Sequence, residues 1–141
     1  MIVLGSDSAG TELKNHLIDF LKENGYKYHD CGESKDYPDI AEEVCGKIVS
    51  GEADKGVLVC GTGIGISMAA NKIKGIRAAN CSDYFSAKYT RLHNDANIIC
   101  MGGRVIGQGL AKELLNVFLN TEFEGGRHAV RVDKIKKLED K

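Results

Sequence analysis

The apolar run Val57-Leu58-Val59 passes directly into Cys60-Gly61-Thr62-Gly63-Ile64-Gly65-Ile66-Ser67, and this junction constrains the fold more than any other stretch. The run is rich in β-branched residues and reads as a short buried strand. The alternating glycines make a tight loop, and the apolar segment through Met68-Ala69-Ala70 reads as a helix. A loop between a strand and a helix start aims several backbone N–H groups into one hollow. It can hold an anion there without a charged side chain. The motif lacks the Gly-Lys-Ser/Thr ending of a P-loop and is not a full GxGxxG. Taken alone, it fits an anion cradle and a tight β–α turn that binds nothing equally well.

The rest of the chain repeats the same alternation. Ile2-Val3-Leu4-Gly5 predicts a first strand, with Asp7 at its carboxyl end. Leu13, Leu17, Phe20 and Leu21 then recur at helical spacing, with Lys14, Asn15, Asp19 and Lys22 on the other side. Asn24-Gly25 suits a helix C-terminus. Tyr26 to Asp30 predicts a second, less apolar strand near an edge. A polar connection from Cys31 to Asp39 carries the only proline, Pro38, which predicts an extended Tyr37 before it.

Ile40, Val44, Ile48 and Val49 mark a second helix. Ile76 to Asn80 predicts a fourth strand, and Ser82-Asp83 an N-cap for a helix ending near Arg91. Ala96 to Met101 predicts a fifth strand, and Leu110, Leu114, Val117 and Phe118 a fifth helix. A charged helix follows over Val130 to Lys141; its few apolar residues suit docking on a neighbouring subunit. The expected fold is therefore α/β: a doubly wound, Rossmann-like three-layer α/β/α sandwich around a five-stranded parallel sheet, in one domain over residues 1–141. Ligands of such sheets sit outside the carboxyl ends of the strands. Asp7, Cys60 and the glycine loop all fall there.

Composition removes several function classes. The net charge of −1 gives no basic field for nucleic acid or an acidic membrane, and without tryptophan there are few stacking platforms. No apolar run is long enough to span a bilayer, and no secretory leader is expected. Five cysteines without CxxC spacing argue against a disulfide framework or zinc knuckle and for a reducing compartment, the cytoplasm.

Some side chains could carry chemistry. Cys60 stands beside the hollow, where a following glycine and a nearby helix start would expose its thiol and favour the thiolate, a possible general base. Asp7 reads either as a turn former or as an acceptor for a sugar hydroxyl. Arg91-Leu92-His93-Asn94-Asp95-Ala96-Asn97 is densely polar, but in a parallel sheet it enters from the amino end. His93 is thus expected to lie far from Cys60 within one subunit and to reach the same substrate only from a second. Arg127 and Arg131, four apart, share a helix face, and Arg104 follows the fifth strand; guanidinium forks suit phosphate.

These separated segments together resemble the family of ribose-5-phosphate isomerase B and galactose-6-phosphate isomerase. The segments are Gly5-Ser6-Asp7-Ser8-Ala9-Gly10, Asp36-Tyr37-Pro38-Asp39, Cys60 to Gly65, Asn71 to Ala79, Arg91 to Asn97 and Gly125 to Arg131. The resemblance implies an aldose–ketose isomerase that works through a cis-enediol without metal or cofactor. It makes Cys60 the base that moves a proton between two sugar carbons and Gly61, Thr62, Gly63, Ile64 and Gly65 the oxyanion hollow. By the same resemblance His93 opens the furanose ring, Asp7, Tyr37 and Asn94 position hydroxyls, and Arg104, Arg127 and Arg131 hold the phosphate. It implies a homodimer or dimer of dimers with the site between subunits.

Ser8, in the sugar-binding motif, departs from the histidine usual in ribose-5-phosphate isomerase B proteins and is similar to one galactose-6-phosphate isomerase subunit type. Its short side chain leaves room for a longer sugar. The expected substrate pair is ribose 5-phosphate and ribulose 5-phosphate. The alternatives are a hexose 6-phosphate isomerase acting on galactose or allose derivatives, and a non-catalytic partner subunit that binds sugar phosphate.

Overall fold

Runs of β-branched and aliphatic residues form strands covered on both faces. The computed structural model describes residues 1–141. β1 (Ile2–Ser6) and β5 (Ile98–Gly102) are buried at every position, as is β3 (Lys55–Cys60) after its first residue. β2 (Tyr28–Glu33) and β4 (Ala78–Asn80) are more open and lie at the two edges. The sheet order is β2-β1-β3-β5-β4, with every pair parallel. Strand order reverses between β1 and β3, so the switch point lies beside Asp7 and Cys60.

Helices cover both faces. α1 (Thr11–Glu23) and α5 (Gln108–Leu119) pack with Leu4, Val57, Val59, Ile99 and Met101, and α4 (Tyr84–Asn94) joins them through Ala87. α2 (Tyr37–Val49) and α3 (Ile64–Ala70) close the other face over Val3, Leu58, Ile98 and Cys100. α6 (Arg127–Leu138) lies outside the layers and packs against α4 of its own chain, burying His128 and Val132. Val130, Ile135 and Leu138 of α6 stay exposed. No helix is long and apolar enough to cross a membrane.

Several expected boundaries shift for physical reasons. Tyr37 is the first residue of α2 rather than extended; the extended residue is Asp36, with φ −108° and ψ 112°. Pro38 sits in the first helical turn, where its missing N–H has no helical acceptor to lose. α4 continues past Arg91 to Asn94 because Asp95 adopts the left-handed conformation that ends a helix, with φ 49°. His93 and Asn94 therefore project from a helical turn, not a loop. β4 begins at Ala78, since Ile76 is buried ahead of it and the Arg77 amide donates to the Asn97 side chain at 2.8 Å. Lys14, expected on the polar side of α1, is buried. Its Nζ donates to Asp30 Oδ1 at 2.8 Å and to the Gly32 carbonyl at 3.1 Å, which tie α1 to the edge strand.

Candidate active site

The carboxyl ends of β1, β3 and β5 bring one set of residues together. Asp7 caps the short 3-10 turn Ser8–Gly10, accepting the Gly10 N–H at 3.1 Å through Oδ1. Its own amide donates to the Val59 carbonyl at 3.2 Å, which fixes it beside β3. The turn can press this closely because residue 10 is glycine: a Cβ there would strike the Val59 carbonyl oxygen. On the other side of β3, the Gly103 amide donates to the Cys60 carbonyl at 2.8 Å and the Arg104 amide to the Gly61 carbonyl at 3.0 Å. The Arg104 guanidinium overhangs the loop; a Cβ at Gly61 would stand 3.5 Å from its Nη1. Tyr37 reaches in from α2, and a Cβ at Gly65 would come 2.7 Å from its ring.

Cys60 is less open than expected. Only 4% of the residue is accessible, and its Sγ accepts the Gly63 N–H at 3.1 Å. The glycine after it does not expose the sulfur, because the loop folds back over it. The other four thiols are shifted by their burial. Burial pushes Cys31 and Cys81 up to about 11 and Cys45 up to about 12, and lifts the enclosed Cys100 well above the ordinary thiol range.

The loop hollow is also narrower than the sequence implies. The Gly63 amide is taken by Cys60, and the Ile64 amide by Thr62 Oγ1 at 3.1 Å. The amides of Gly61, Thr62 and Gly65 make no hydrogen bond within the chain. Ser8 is exposed beside Asp7. Thr11 Oγ1 donates to Glu33 Oε1 at 2.7 Å, and this bond, with the nearby Ser8 hydroxyl adding to it, holds the Glu33 carboxyl below its ordinary range.

A second set of residues gathers elsewhere. α4 runs back from the carboxyl edge, so His93 and Asn94 in its last turn lie at the amino edge of the sheet. β5 alone separates the edges by about 16 Å, at ~3.3 Å per residue. The loop before α6 comes to His93 there: the Glu124 amide donates to the Leu92 carbonyl at 3.0 Å, and Glu124 Oε2 lies 3.7 Å from His93 Nε2. His128 stacks on His93, and Arg127 and Arg131 flank His128 on α6. Arg104, Arg127 and Arg131 are all exposed and make no ion pair or side-chain hydrogen bond within the chain. The structure thus brings Asp7, Ser8, Tyr37, Cys60 to Gly65 and Arg104 to one edge. It leaves His93, Asn94, Arg127 and Arg131 at the other.

Three residues near these sets escaped the sequence reading. Asn80, ending β4, places its Oδ1 under Gly63 and its Nδ2 3.5 Å from the Thr62 carbonyl. The signal was its place at the carboxyl end of a strand. Glu124 and His128 gave weaker signals, since nothing in the sequence shows that they come to His93.

Comparison with known proteins places the chain in a family. A family model described as Ribose/Galactose Isomerase matches residues 2–135. Ribose-5-phosphate isomerase B of Escherichia coli is 44% identical, the match covering 99% of this chain and 97% of that protein. D-erythrulose-4-phosphate isomerase of Pectobacterium atrosepticum is 46% identical over 95% of this chain and 91% of that protein. The solved structure of Clostridium thermocellum ribose-5-phosphate isomerase B superposes with a TM-score of 0.96 at 50% identity, covering 99% of this chain and 97% of that one. The chain belongs to the Ribose/Galactose Isomerase family.

Proposed function

We propose that this protein interconverts an aldose phosphate and the matching ketose phosphate, with ribose 5-phosphate and ribulose 5-phosphate as its pair. One observation carries the reading: the Cys60 sulfur, already hydrogen-bonded by Gly63, stands beside unpartnered loop amides and the overhanging Arg104. Cys60 removes the proton from the carbon next to the carbonyl and returns it to the neighbouring carbon. The carbonyl oxygen gains negative charge on the way to the enediol, where the free amides of Gly61, Thr62 and Gly65 stabilise it, and it takes up a proton equivalent to the one the adjacent hydroxyl gives up as the new carbonyl forms. Thr62, through its side chain, holds the loop in shape. Asp7, Ser8, Tyr37 and Asn94 position hydroxyls.

Ribose 5-phosphate is mainly a closed furanose, so its ring must open first. The bond between the anomeric carbon and the ring oxygen breaks, the ring oxygen gains a proton from the His93 imidazolium, and the anomeric hydroxyl loses one to water as the carbonyl forms. His93 lies at the wrong edge to do this for Cys60 of its own chain. We therefore assign one site to two subunits: Cys60, Asp7, Tyr37 and Arg104 from one, and His93, Asn94, Arg127 and Arg131 from the other. The exposed apolar residues Ile64, Met68, Tyr84 and Phe85 on α3 and α4 are the surface for that contact, and the exposed part of α6 extends it. No cofactor enters this scheme. Five free thiols suit a reducing compartment such as the cytoplasm.

Ser8 favours a second reading in which the sugar differs in length. The relative named D-erythrulose-4-phosphate isomerase points to a tetrose phosphate, and the space left by serine to a hexose 6-phosphate. A panel of tetrose, pentose and hexose phosphates with purified protein decides among these; no turnover of any of them would overturn the isomerase reading. Cys60→Ala should abolish turnover while phosphate-ligand binding persists. Mixing Cys60→Ala with His93→Ala subunits should restore about a quarter of wild-type activity, because half the dimers are hybrids with one intact site of two. No recovery in hybrids shown to form would refute the shared site.

A further inference from the structure

His128 is almost enclosed, at 6% exposure, yet its Nε2 has no hydrogen-bond partner. A buried polar atom left unmatched needs a reason. Its ring lies face to face with that of His93, with centroids 4.0 Å apart and planes 11° apart. Tyr89 meets His93 edge-on, with centroids 5.0 Å apart and planes at 74°. Phe85 stacks on Tyr89 in turn, at 4.1 Å. The His93 ring is therefore held by a flat face, an aromatic edge and the Glu124 carboxylate at 3.7 Å from Nε2.

Ligand atoms of His93, Glu124 and His128 lie within 4.8 Å of one another, which suggests a cation site. The stacking argues against it. A metal bound to imidazole sits in the ring plane, along the nitrogen lone pair. Two nearly parallel rings 4.0 Å apart aim their lone pairs side by side rather than at a common point.

We propose that His128 is a positioning residue for His93: its buried ring face sets the plane of the His93 imidazole, which gives a proton to the furanose ring oxygen. This rests on the isomerase reading above. Burial and the neighbouring His93 hold His128 below the ordinary imidazole range, with Arg127 and Arg131 adding to the effect and Glu124 opposing it. His128 thus stays neutral at neutral pH and sets no second charge against His93 when that ring is protonated. The unmatched Nε2 follows from the ring being placed for its face rather than for a hydrogen bond.

Sugar chemistry supplies a test that a merely structural role would not pass. Ribose 5-phosphate must open a ring, whereas ribulose 5-phosphate cannot close one, because the oxygen that would form its furanose carries the phosphate. The full-length oligomer should be assayed in both directions as wild type, His93→Ala, His128→Ala and His128→Phe. His128→Ala should follow His93→Ala, losing about tenfold or more in kcat with ribose 5-phosphate, in line with a misplaced general acid. It should keep most of its turnover from ribulose 5-phosphate. His128→Phe, which restores a flat face without a titrating group, should recover most of the lost rate. Equal losses in both directions, or no loss with ribose 5-phosphate, would overturn the proposal. Failure of Phe to rescue, in a variant whose unfolding midpoint matches wild type, would do the same. Wild-type protein inactive in both directions would instead overturn the isomerase reading.

Discussion

The backbone N–H of Gly63 donates to the Sγ of Cys60 across 3.1 Å. That bond requires the loop to double back, and it does so because Gly63 has φ +82°. A Cβ at this position would overlap Asn80 Oδ1 and stand 2.9 Å from the Met101 carbonyl carbon. Gly63→Ala is therefore expected to cost about 1–3 kcal/mol of stability from the forced left-handed backbone. It should also lower kcat at least about tenfold, because a misplaced base transfers protons poorly. Urea unfolding and steady-state kinetics check the two effects separately.

Gly65 and Gly10 make a contrasting pair. A Cβ at Gly65 would meet only the outer end of Tyr37, a ring that is 39% exposed and free to swing away. Gly65→Ala should leave the unfolding midpoint nearly unchanged and raise KM through the displaced Tyr37. A Cβ at Gly10 would strike the Val59 carbonyl oxygen, part of the central strand that cannot yield. Gly10→Ala should cost more than about 2 kcal/mol, as overpacking into rigid backbone does. Similar urea midpoints for the two variants would contradict this distinction.

Most of the fold was legible because local pattern and global layer agree. The runs Ile2 to Leu4 and Val57 to Val59 cannot be anything but buried strands between amphipathic helices, and the parallel order follows from their alternation. The second edge strand and the start of β4 were misjudged by a few residues, since edge strands carry little apolar signal. Lys14 shows why periodicity alone fails: its position looks polar, and only the β2 carboxylate of Asp30 makes its burial affordable. The separation of Cys60 from His93 was legible, because it depends only on strand direction. The closing of the loop over Cys60 and the stack of His128 on His93 were not, because both depend on how side chains from distant segments meet.

The five thiols should differ in reactivity against their exposure. Cys31 is the most accessible, but burial, then the nearby Glu43, pushes it up to about 11. Near pH 8 only about 0.1% of such a thiol is ionised. Cys45 and Cys81 are buried and raised as well. Cys60, with the Gly63 N–H on its sulfur, is expected to react first with a small alkylating agent and to be protected by a sugar phosphate. Peptide mapping by mass spectrometry after brief iodoacetamide treatment tests the order. Cys31 labelled ahead of Cys60 would show that exposure outweighs the loop hydrogen bond.

The end of α4 is fixed by two arginines, and this clamp carries His93 and Asn94. Arg91 is 5% exposed and donates through Nη1 to Asp95 Oδ1 at 2.8 Å and to the Ala96 carbonyl at 2.7 Å, while its Nε reaches the Thr121 carbonyl at 3.0 Å. Arg77 grips the same turn from β4's approach, with Nε 3.1 Å from the Asn94 carbonyl and Nη2 2.9 Å from that of Asp95. These bonds hold Asp95 in its left-handed conformation and set the direction of the preceding two side chains. Arg91→Met keeps an unbranched stem but removes the guanidinium that lies over Phe118, strands two carbonyls and loosens Asp95. It should destabilise the protein by about 2–4 kcal/mol, the range for breaking a buried charged network from one side. Arg77→Met removes donors from a more open site and should cost less. Because Arg77 alone bonds the Asn94 carbonyl, its loss should appear chiefly in KM for the sugar phosphate. Denaturant unfolding beside Michaelis kinetics for both variants distinguishes the two clamps, and equal stability losses would show that they act as one.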